Sequence, residues 1–131
     1  MTKSKGWIFN WKEEFKNAGR EIYKLTIVGN PKIIQGLLSI EIKEDHVYMH
    51  LVENAPFNKG KEKVYAGVAG NLVAFACKVS FQRGFEGNIS FLSKTQLIEY
   101  YEKSLGAIHF GGRIMIIETQ SALKLIGKYF K

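Results

Sequence analysis

The chain is poor in cysteine, in proline and in long apolar runs. Its single cysteine, Cys77, cannot form an internal disulfide, so we expect a protein of a reducing compartment, the cytoplasm. None of the apolar stretches approaches the ~20 residues that cross a bilayer, and the first residues lack the pattern of a signal peptide. No repeat, low-complexity tract or linker divides the sequence. We therefore expect one domain over residues 1–131 that does not associate with a membrane.

Acidic residues are also scarce: 12 Asp and Glu face 19 Lys and Arg, which gives a net charge of +7. A basic surface attracts nucleic acid, membranes and small polyphosphates alike, and a solvated basic face explains much of this charge. The strongest indication of a phosphate ligand comes from the lysines that precede a glycine-rich segment, Lys59, Lys61 and Lys63. A small nucleic-acid-binding domain that uses the aromatic residues of segment 7–11 is an alternative. It ranks lowest because the sequence lacks an interleaved basic and aromatic platform.

Alternating apolar residues predict three strands in the first half of the chain, over 21–28, 34–43 and 46–53, with a shorter strand over 7–11 before them. In the third strand, Val47, Met49 and Leu51 are expected on one face, opposite His46, Tyr48 and His50. Short turns between these strands predict an antiparallel meander. The two histidines lack a third ligand at suitable spacing, so we expect no metal site. His50 could assist a proton transfer or be a surface residue.

The apolar period then changes from 2 to 3.6 residues, which indicates helices. A helix is predicted from Gly67 to Gln82. Ser93 and Gln96 have the spacing of a capping box for a second helix that stops near Gly106. The remaining predicted elements are strands over 88–92 and 113–118 and a helix over 120–130. This order predicts an α/β (α+β) domain with a mixed sheet.

Two segments carry the clearest indication of function. Residues 67–72 read Gly67-Val68-Ala69-Gly70-Asn71-Leu72, and a small-residue turn at a helix N-terminus leaves backbone N–H groups free for a phosphate. A glycine turn alone is weak evidence, because glycines often only cap helices. Tyr101, near a helix C-terminus, is either a proton donor or a core aromatic residue. Because Tyr100 points about a quarter-turn or more away, we expect one of the two tyrosines in the core and the other facing the cleft.

In this order and at this separation, the two segments resemble the acyl-CoA-binding half of an N-acetyltransferase of the GNAT superfamily. The family's phosphate motif reads Gln/Arg-x-x-Gly-x-Gly/Ala, and Gly67 and Ala69 match its two small positions, with Leu72 as the aliphatic residue beyond them. The family's tyrosine motif is matched by the run Tyr101-Glu102-Lys103 and then Gly106, with one residue inserted ahead of the glycine.

The chain departs from the family pattern at three positions. Val64 stands at the first position of the phosphate motif, where Lys61 or Lys63 would have to supply the basic group. Ala107 replaces a phenylalanine after the tyrosine motif. Lys94 occupies a position, seven residues before the tyrosine, that the family commonly fills with asparagine, and we include it among the candidate cofactor-binding residues.

The resemblance implies a GNAT-like fold, a mainly antiparallel mixed sheet with flanking helices, and an N-acyltransferase that uses acetyl-CoA. It implies direct attack of an amine on the thioester, with Glu53 as the base and Tyr101 as the acid. Glu53 could instead be a solvated carboxylate at a strand end. The resemblance places the pyrophosphate on the N–H groups from Val68 to Asn71, and the pantetheine arm along the strand edge at Leu51 and Val52.

The region before the first long strand is short for the family, since residues 12–20 hold at most two helical turns. The acceptor side would then be open, or completed by a partner such as a second copy of the chain. A non-catalytic module that binds CoA or a protein is therefore the main alternative. The sequence does not identify the acceptor amine. Cys77 lies on the predicted helix without a visible base, which favours a core residue over a nucleophile.

Overall fold

Six strands and four helices build the domain in this computed structural model, which describes Trp7 and residues 9–27, 29–55 and 62–130. The elements are, in chain order, α1 (Trp11–Lys16), β1 (Glu21–Ile27), β2 (Asn30–Ile42), β3 (Val47–Asn54), α2 (Glu62–Gln82), β4 (Ile89–Leu92), α3 (Ile98–Leu105), β5 (Ile108–Gly111), β6 (Ile114–Ile117) and α4 (Thr119–Tyr129). The strands form one sheet in the order β1-β2-β3-β4-β6-β5. Only β3 and β4 are parallel; the other neighbours are antiparallel. The predicted mixed, mainly antiparallel sheet with flanking helices is confirmed.

The main core lies between the sheet and helices α2 and α4. Alternation in β2 turns Leu38 and Ile40 toward α2, whose apolar stripe includes Leu72, Ala76 and Val79. This is the stripe expected from the 3.6-residue period, and it packs α2 against the sheet. A smaller cluster lies on the opposite face of the sheet, where α1 packs: Trp7, Trp11, Leu37 and Ala55.

A β-bulge in β3 changes which side chains face each cluster. Neighbouring residues of β2, Ser39 and Ile40, pair with Leu51 and Met49, so His50 is an extra residue in β3. Met49 packs in the α2 cluster, whereas Leu51 packs with the α1 cluster. The prediction that Leu51 shares a face with Met49 is therefore wrong, because an inserted residue reverses the alternation beyond it.

Several element boundaries differ from the sequence prediction. The strand over 7–11 is wrong: Trp11 begins α1, and the side chain of Asn10 accepts a hydrogen bond from the N–H of Glu13 at 3.3 Å. The capping box is also wrong, because the Ser93 hydroxyl donates to the carbonyl of Lys94 and a 3₁₀ turn (Thr95–Leu97) precedes α3. In contrast, α3 ends as predicted, at Gly106 with a φ of 67°.

The prediction missed β5 because its residues give no alternating signal. All four of its residues are exposed, at the edge of the sheet. Gly111 and Gly112, both with positive φ, turn the chain back into β6. Within the described residues, no helix has the length and apolar character that a membrane span needs.

Candidate functional site

The sheet opens where β3 and β4 stop pairing. Only residues 47–49 of β3 pair with β4, against residues 89–91, while β3 stays paired with β2 as far as Asn54. The bulge at His50 begins at the same point. Beyond it, the β4-facing edge of β3 has no strand partner among the described residues.

A cavity of about 600 Å³ fills this opening, a size suited to a small-molecule ligand. One side, which we call the strand wall, consists of residues 49–53 of β3 together with Phe9. The other side, the helix wall, is formed by residues of α2, β4, α3 and α4 and of the segment between β4 and α3. Its members are Ala69, Gly70, Val73, Phe91, Leu92, Ser93, Lys94, Leu97, Tyr100, Tyr101, Lys103, Ser104, Leu105, Lys128 and Tyr129.

The structure brings together about half of the residues predicted for the site. Seven of them line the cavity: Leu51, Val52, Glu53, Ala69, Gly70, Lys94 and Tyr101. Val68 and Leu72 are instead buried in the core, and Gly67 and Asn71 are half-buried on α2 outside the cavity lining. Lys61 lies outside the described residues, as does Lys59, and Lys63 belongs to α2 but its side chain is not described.

Helix α2 begins at Glu62, so the prediction that residues 67–72 form a turn before the helix is wrong. The N–H groups from Val68 to Asn71 lie inside the helix, where each is bonded to the carbonyl four residues earlier. The free N–H groups of a helix are those of its first turn. The role of these residues in cofactor binding stays a prediction, but not through free backbone N–H groups.

Gly70 has a packing reason to be glycine. A Cβ atom built there would overlap the phenol of Tyr129, on α4. At Gly67, one turn earlier, a Cβ atom would meet nothing within 4 Å. The absent side chain at Gly70 therefore lets α4 bring Tyr129 into the helix wall.

Glu53 is almost completely buried, with 4% of its surface exposed. Its Oε1 accepts hydrogen bonds from the Trp11 indole N–H at 3.0 Å and from the Phe9 backbone N–H at 3.1 Å. The interpretation of Glu53 as a solvated carboxylate is wrong. This carboxylate ties the segment before α1 to the strand wall and holds Phe9 beside the cavity.

Tyr101 is half-buried in the helix wall. Its ring meets that of Phe91 edge to face, with centroids 5.3 Å apart, and that of Tyr100 at 5.5 Å. Tyr100 also lines the cavity, with 49% of its surface exposed. The expectation that one tyrosine is core and the other faces the cleft is too simple, because both side chains contribute to the wall.

Three lysines surround the cavity on the helix wall: Lys94, Lys103 and Lys128. All three are exposed, and none makes an ion pair in the described part of the chain. Among the described residues of the lining, Glu53 is the only acidic one, so these walls favour an anionic ligand. Lys103 and Lys128 were not predicted, because nothing in the sequence indicates that α3 and α4 meet at one opening.

His50 adds an imidazole to the strand wall. Its Nε2 lies 2.8 Å from Oε1 of Glu41, on β2, and its ring packs edge to face on Tyr48 with centroids 4.5 Å apart. Glu41 also accepts from Lys43 at 2.7 Å and from Arg20 at 3.1 Å. The hydrogen bonds from Lys43 and His50 lower the pKa of Glu41 to about 2, so it is a carboxylate at neutral pH.

Cys77 does not line the cavity. It is fully buried on α2, and burial raises the pKa of its thiol to about 12. The thiol therefore stays protonated at neutral pH, and the preference for a core residue over a nucleophile is confirmed. The described residues contain no group of three or more side chains suited to holding a metal ion.

Solved structures share this fold at low sequence identity. AtaTR bound with AcCoA has a TM-score of 0.60 at 16% identity, covering 86% of this chain and 76% of that chain. The AtaT-AtaR complex bound to DNA has a TM-score of 0.62 at 15% identity, with coverages of 87% and 77%. GCN5 from Tetrahymena has a TM-score of 0.55 at 12% identity, with coverages of 76% and 68%.

These structural neighbours are GNAT acetyltransferases, and the chain has a GNAT-like fold. No protein-family model matches the sequence, and no curated protein sequence matches it. The resemblance suggested by the two sequence segments is thus confirmed at the level of the fold.

Proposed function

We propose that this protein is an N-acyltransferase that moves an acetyl or other acyl group from acetyl-CoA to an amine. One observation carries the proposal: in a GNAT-like fold, the gap between two parallel strands opens onto a cavity of about 600 Å³ with basic walls. AtaTR, which has the same fold, is bound with AcCoA.

The pantetheine arm would lie along the open edge of β3. Beyond Met49 this edge has no strand partner within the described ranges, and Leu51 and Val52 line the cavity. The amide groups of an extended arm would pair with the backbone of β3 at Leu51 and Val52, as a peptide does when it adds a strand to a sheet. The thioester would then lie between the strand wall and the helix wall.

The phosphate groups of CoA would lie on the basic side of the helix wall. Lys94, Lys103 and Lys128 supply three cations there. At Ala69 the cavity lining carries only a methyl group, which permits close approach of the ligand. Lys61 and Lys63 precede or begin α2 in the sequence and stay predicted contributors to the same site.

The chemistry would be a direct transfer. The amine nitrogen attacks the thioester carbonyl, the carbon–sulfur bond breaks, and Tyr101 donates a proton to the departing CoA thiolate. A base in the cavity takes a proton from the incoming ammonium group. Glu53 stays the predicted base from the family resemblance, although its hydrogen bonds to Trp11 and Phe9 already give it another task.

A thermal-shift titration with acetyl-CoA tests the binding step. A ligand that binds only the folded state raises the melting temperature by mass action, so we expect a rise that grows with ligand concentration. No movement at millimolar acetyl-CoA would contradict the proposal. The variant Lys94→Gln/Lys103→Gln/Lys128→Gln should show a smaller rise at low salt. The matched variant Lys12→Gln/Lys16→Gln/Lys24→Gln removes three exposed lysines outside the cavity lining and should keep the wild-type rise.

The transfer step needs an acceptor. We would incubate the protein and acetyl-CoA with spermidine, L-lysine, tyramine and short peptides and measure the release of CoA thiol together with the mass of the acylated product. Acylation of any of these amines would support the proposed acyltransferase activity. Firm binding of acetyl-CoA without acylation of any amine would favour the non-catalytic CoA-binding module.

A further inference from the structure

We propose that the pair His50–Glu41, rather than Glu53, is the proton acceptor for the amine, with His50 as the base and Glu41 as the residue that positions it. This inference rests on the proposed acyl transfer and names the strand-wall group that would perform its first proton step. It is carried by the contact between the two side chains and by the place of His50 at the opening of the sheet.

His50 stands where the cavity begins. It is the extra residue of the β3 bulge and the first residue of β3 beyond the pairing with β4. His50 lines the cavity, and about a fifth of its side chain is exposed. Bulges commonly redirect a side chain next to a site, and this one places an imidazole beside the position proposed for the thioester.

Glu41 fixes the form of the imidazole that a base requires. A carboxylate 2.8 Å from Nε2 accepts the proton of that nitrogen, which leaves Nδ1 with a free lone pair. Nδ1 has no hydrogen-bond partner within the described residues. A carboxylate that orients a histidine and stabilises its cationic form is the arrangement by which serine hydrolases activate their base.

The surroundings of Glu41 keep that carboxylate ionised and in place. Lys43 and Arg20 bind its two oxygens, Lys43 to Oε2 and Arg20 to Oε1. Among the described residues, the charged and titratable groups on the side of His50 are Glu41 with its two cations and, from its own strand, Tyr48 and Glu53. Across the cavity, the helix wall contributes the phenols and lysines already described.

Glu53 is less suited than His50 to accept a proton. One of its oxygens accepts two N–H groups from the segment before and at the start of α1, and the side chain is buried. Taking up a proton would weaken hydrogen bonds that hold Phe9 and Trp11 in place. Glu53 therefore suits a structural role at the acceptor side, and His50 suits the proton transfer.

The proton balance of the reaction is complete with these groups. His50 takes one proton from the ammonium form of the acceptor and later releases it to water. The neutral nitrogen then forms the new carbon–nitrogen bond and the carbon–sulfur bond breaks. The second proton lost by nitrogen ends on the CoA sulfur, through Tyr101. The products are one amide, one CoA thiol and one proton in solution.

The variant His50→Gln tests the base, with His46→Gln as its matched control. His46 also contacts a carboxylate, Asp45 at 2.7 Å, but it lies outside the cavity lining. With acetyl-CoA and the amine panel, we expect His50→Gln to lower kcat by roughly 10²–10⁴-fold at pH 7 while acetyl-CoA still raises the melting temperature. His46→Gln should keep the wild-type rate. An unchanged rate in His50→Gln would overturn the inference while leaving the acyl transfer itself standing.

Three further readouts separate a base from a merely structural histidine. Added imidazole should restore part of the activity of His50→Ala but not that of Tyr101→Phe. The acidic limb of the pH profile of kcat/KM should disappear in His50→Gln and shift in Glu41→Gln, because histidine ordinarily changes charge between pH 5 and 8. Glu53→Gln should keep that limb; a limb that vanishes with Glu53→Gln alone would assign the base to Glu53.

A measurement without any acceptor decides the case if the amine panel yields no product. The chain has three histidines, so ¹⁵N spectra of the imidazole rings are assignable with the His50→Gln and His46→Gln variants. We expect neutral His50 to carry its proton on Nε2, and to lose that preference in Glu41→Gln. A proton on Nδ1 in the wild-type protein would overturn the proposal, and absence of acetyl-CoA binding would overturn the proposed function instead.

Discussion

The two walls of the cavity are built in opposite ways. On the strand wall the polar groups are held in defined hydrogen bonds: Glu53 with Trp11, and His50 with Glu41. On the helix wall the lysines extend from α3, α4 and the segment before α3 without ion pairs in the described part of the chain. Groups held by hydrogen bonds suit a proton transfer that depends on geometry, whereas exposed cations suit the binding of a charged ligand. We infer from this difference that the acceptor amine meets the strand wall and that the phosphate groups of CoA meet the helix wall, with the pantetheine arm between the two.

The largest effect should come from Tyr101, the residue of the helix wall that is proposed to act chemically. Tyr101→Phe removes only the hydroxyl, so the fold and the affinity for acetyl-CoA should change little. We expect turnover with the acceptor found in the amine screen to fall by roughly 10²–10⁴-fold, the contribution typical of a general acid. Losses of similar size in kcat and kcat/KM would indicate an interaction made only in the transition state.

Tyr23→Phe is the matched control for Tyr101→Phe. The Tyr23 hydroxyl donates to Glu21 at 2.6 Å, and Tyr23 is not among the residues that line the cavity. The control variant should turn over at the wild-type rate. Equal rates for Tyr101→Phe and wild type would remove the chemical role from the helix wall and leave it as a binding surface.

The next largest effect should come from Glu53, in the strand wall, and should appear in the free energy of unfolding. Glu53→Leu removes the acceptor of the Trp11 indole N–H, and a buried donor left without a partner costs about 1–3 kcal/mol. Glu53→Gln keeps a carbonyl oxygen of similar reach and should cost less. Urea denaturation of the three proteins measures the difference. If Glu53→Leu is as stable as the wild type, the strand wall is not held by this carboxylate.

A smaller effect tests how α2 and α4 shape the helix wall. Gly70→Ala should lower the free energy of unfolding by about 1–3 kcal/mol, because the new methyl group must displace Tyr129. It should also weaken acetyl-CoA binding if Tyr129 helps to shape the site. Gly67→Ala, in the same helix with open space around it, should gain up to about 1 kcal/mol from helix propensity. The test is that the free energy of unfolding changes in opposite directions in the two variants. A change in the same direction in both would mean that the contact with Tyr129 does not limit packing.

The smallest effects should come from single lysines of the helix wall. Changing Lys94, Lys103 or Lys128 to Gln removes one exposed charge each, and an exposed charge pair is worth about 0.2–1 kcal/mol. Titration calorimetry should show a loss of affinity for acetyl-CoA in each variant at low salt and a smaller loss at high salt. The reason is that the attraction between exposed charges decays over about 10 Å at 0.1 M salt and over a shorter distance at higher salt. Affinities that do not respond to salt would place the phosphate groups away from these lysines.

The sequence predicted the structure well where a helix or strand buries one face regularly along its length. Leu72, Ala76 and Val79 recur at helical spacing, and they form the apolar stripe of α2 that the period predicted. Leu38 and Ile40 alternate in β2 and are buried as expected. Tyr101 and Ala69 were assigned to the site by resemblance to a family, and both line the cavity.

The errors fell where the backbone is irregular or where an element lacks a buried face. The bulge at His50 leaves no mark on the apolar pattern, yet it moves Leu51 and Glu53 to the α1 side of the sheet. β5 is exposed throughout, so nothing in its residues indicates a strand. The start of α2 lies five residues before the glycines that suggested it, because Gly67 is accommodated inside the helix.

By itself the sequence determined the mixed fold, the apolar helix stripe and the presence of a basic surface, because each depends on residue type and periodic spacing along one segment. Only the tertiary structure decided which residues share the cavity. Glu41 and His50, or Gly70 and Tyr129, are brought together by strand register and helix packing between segments distant in the chain. Those contacts depend on how whole elements bury their apolar faces against one another, and no local pattern records that arrangement.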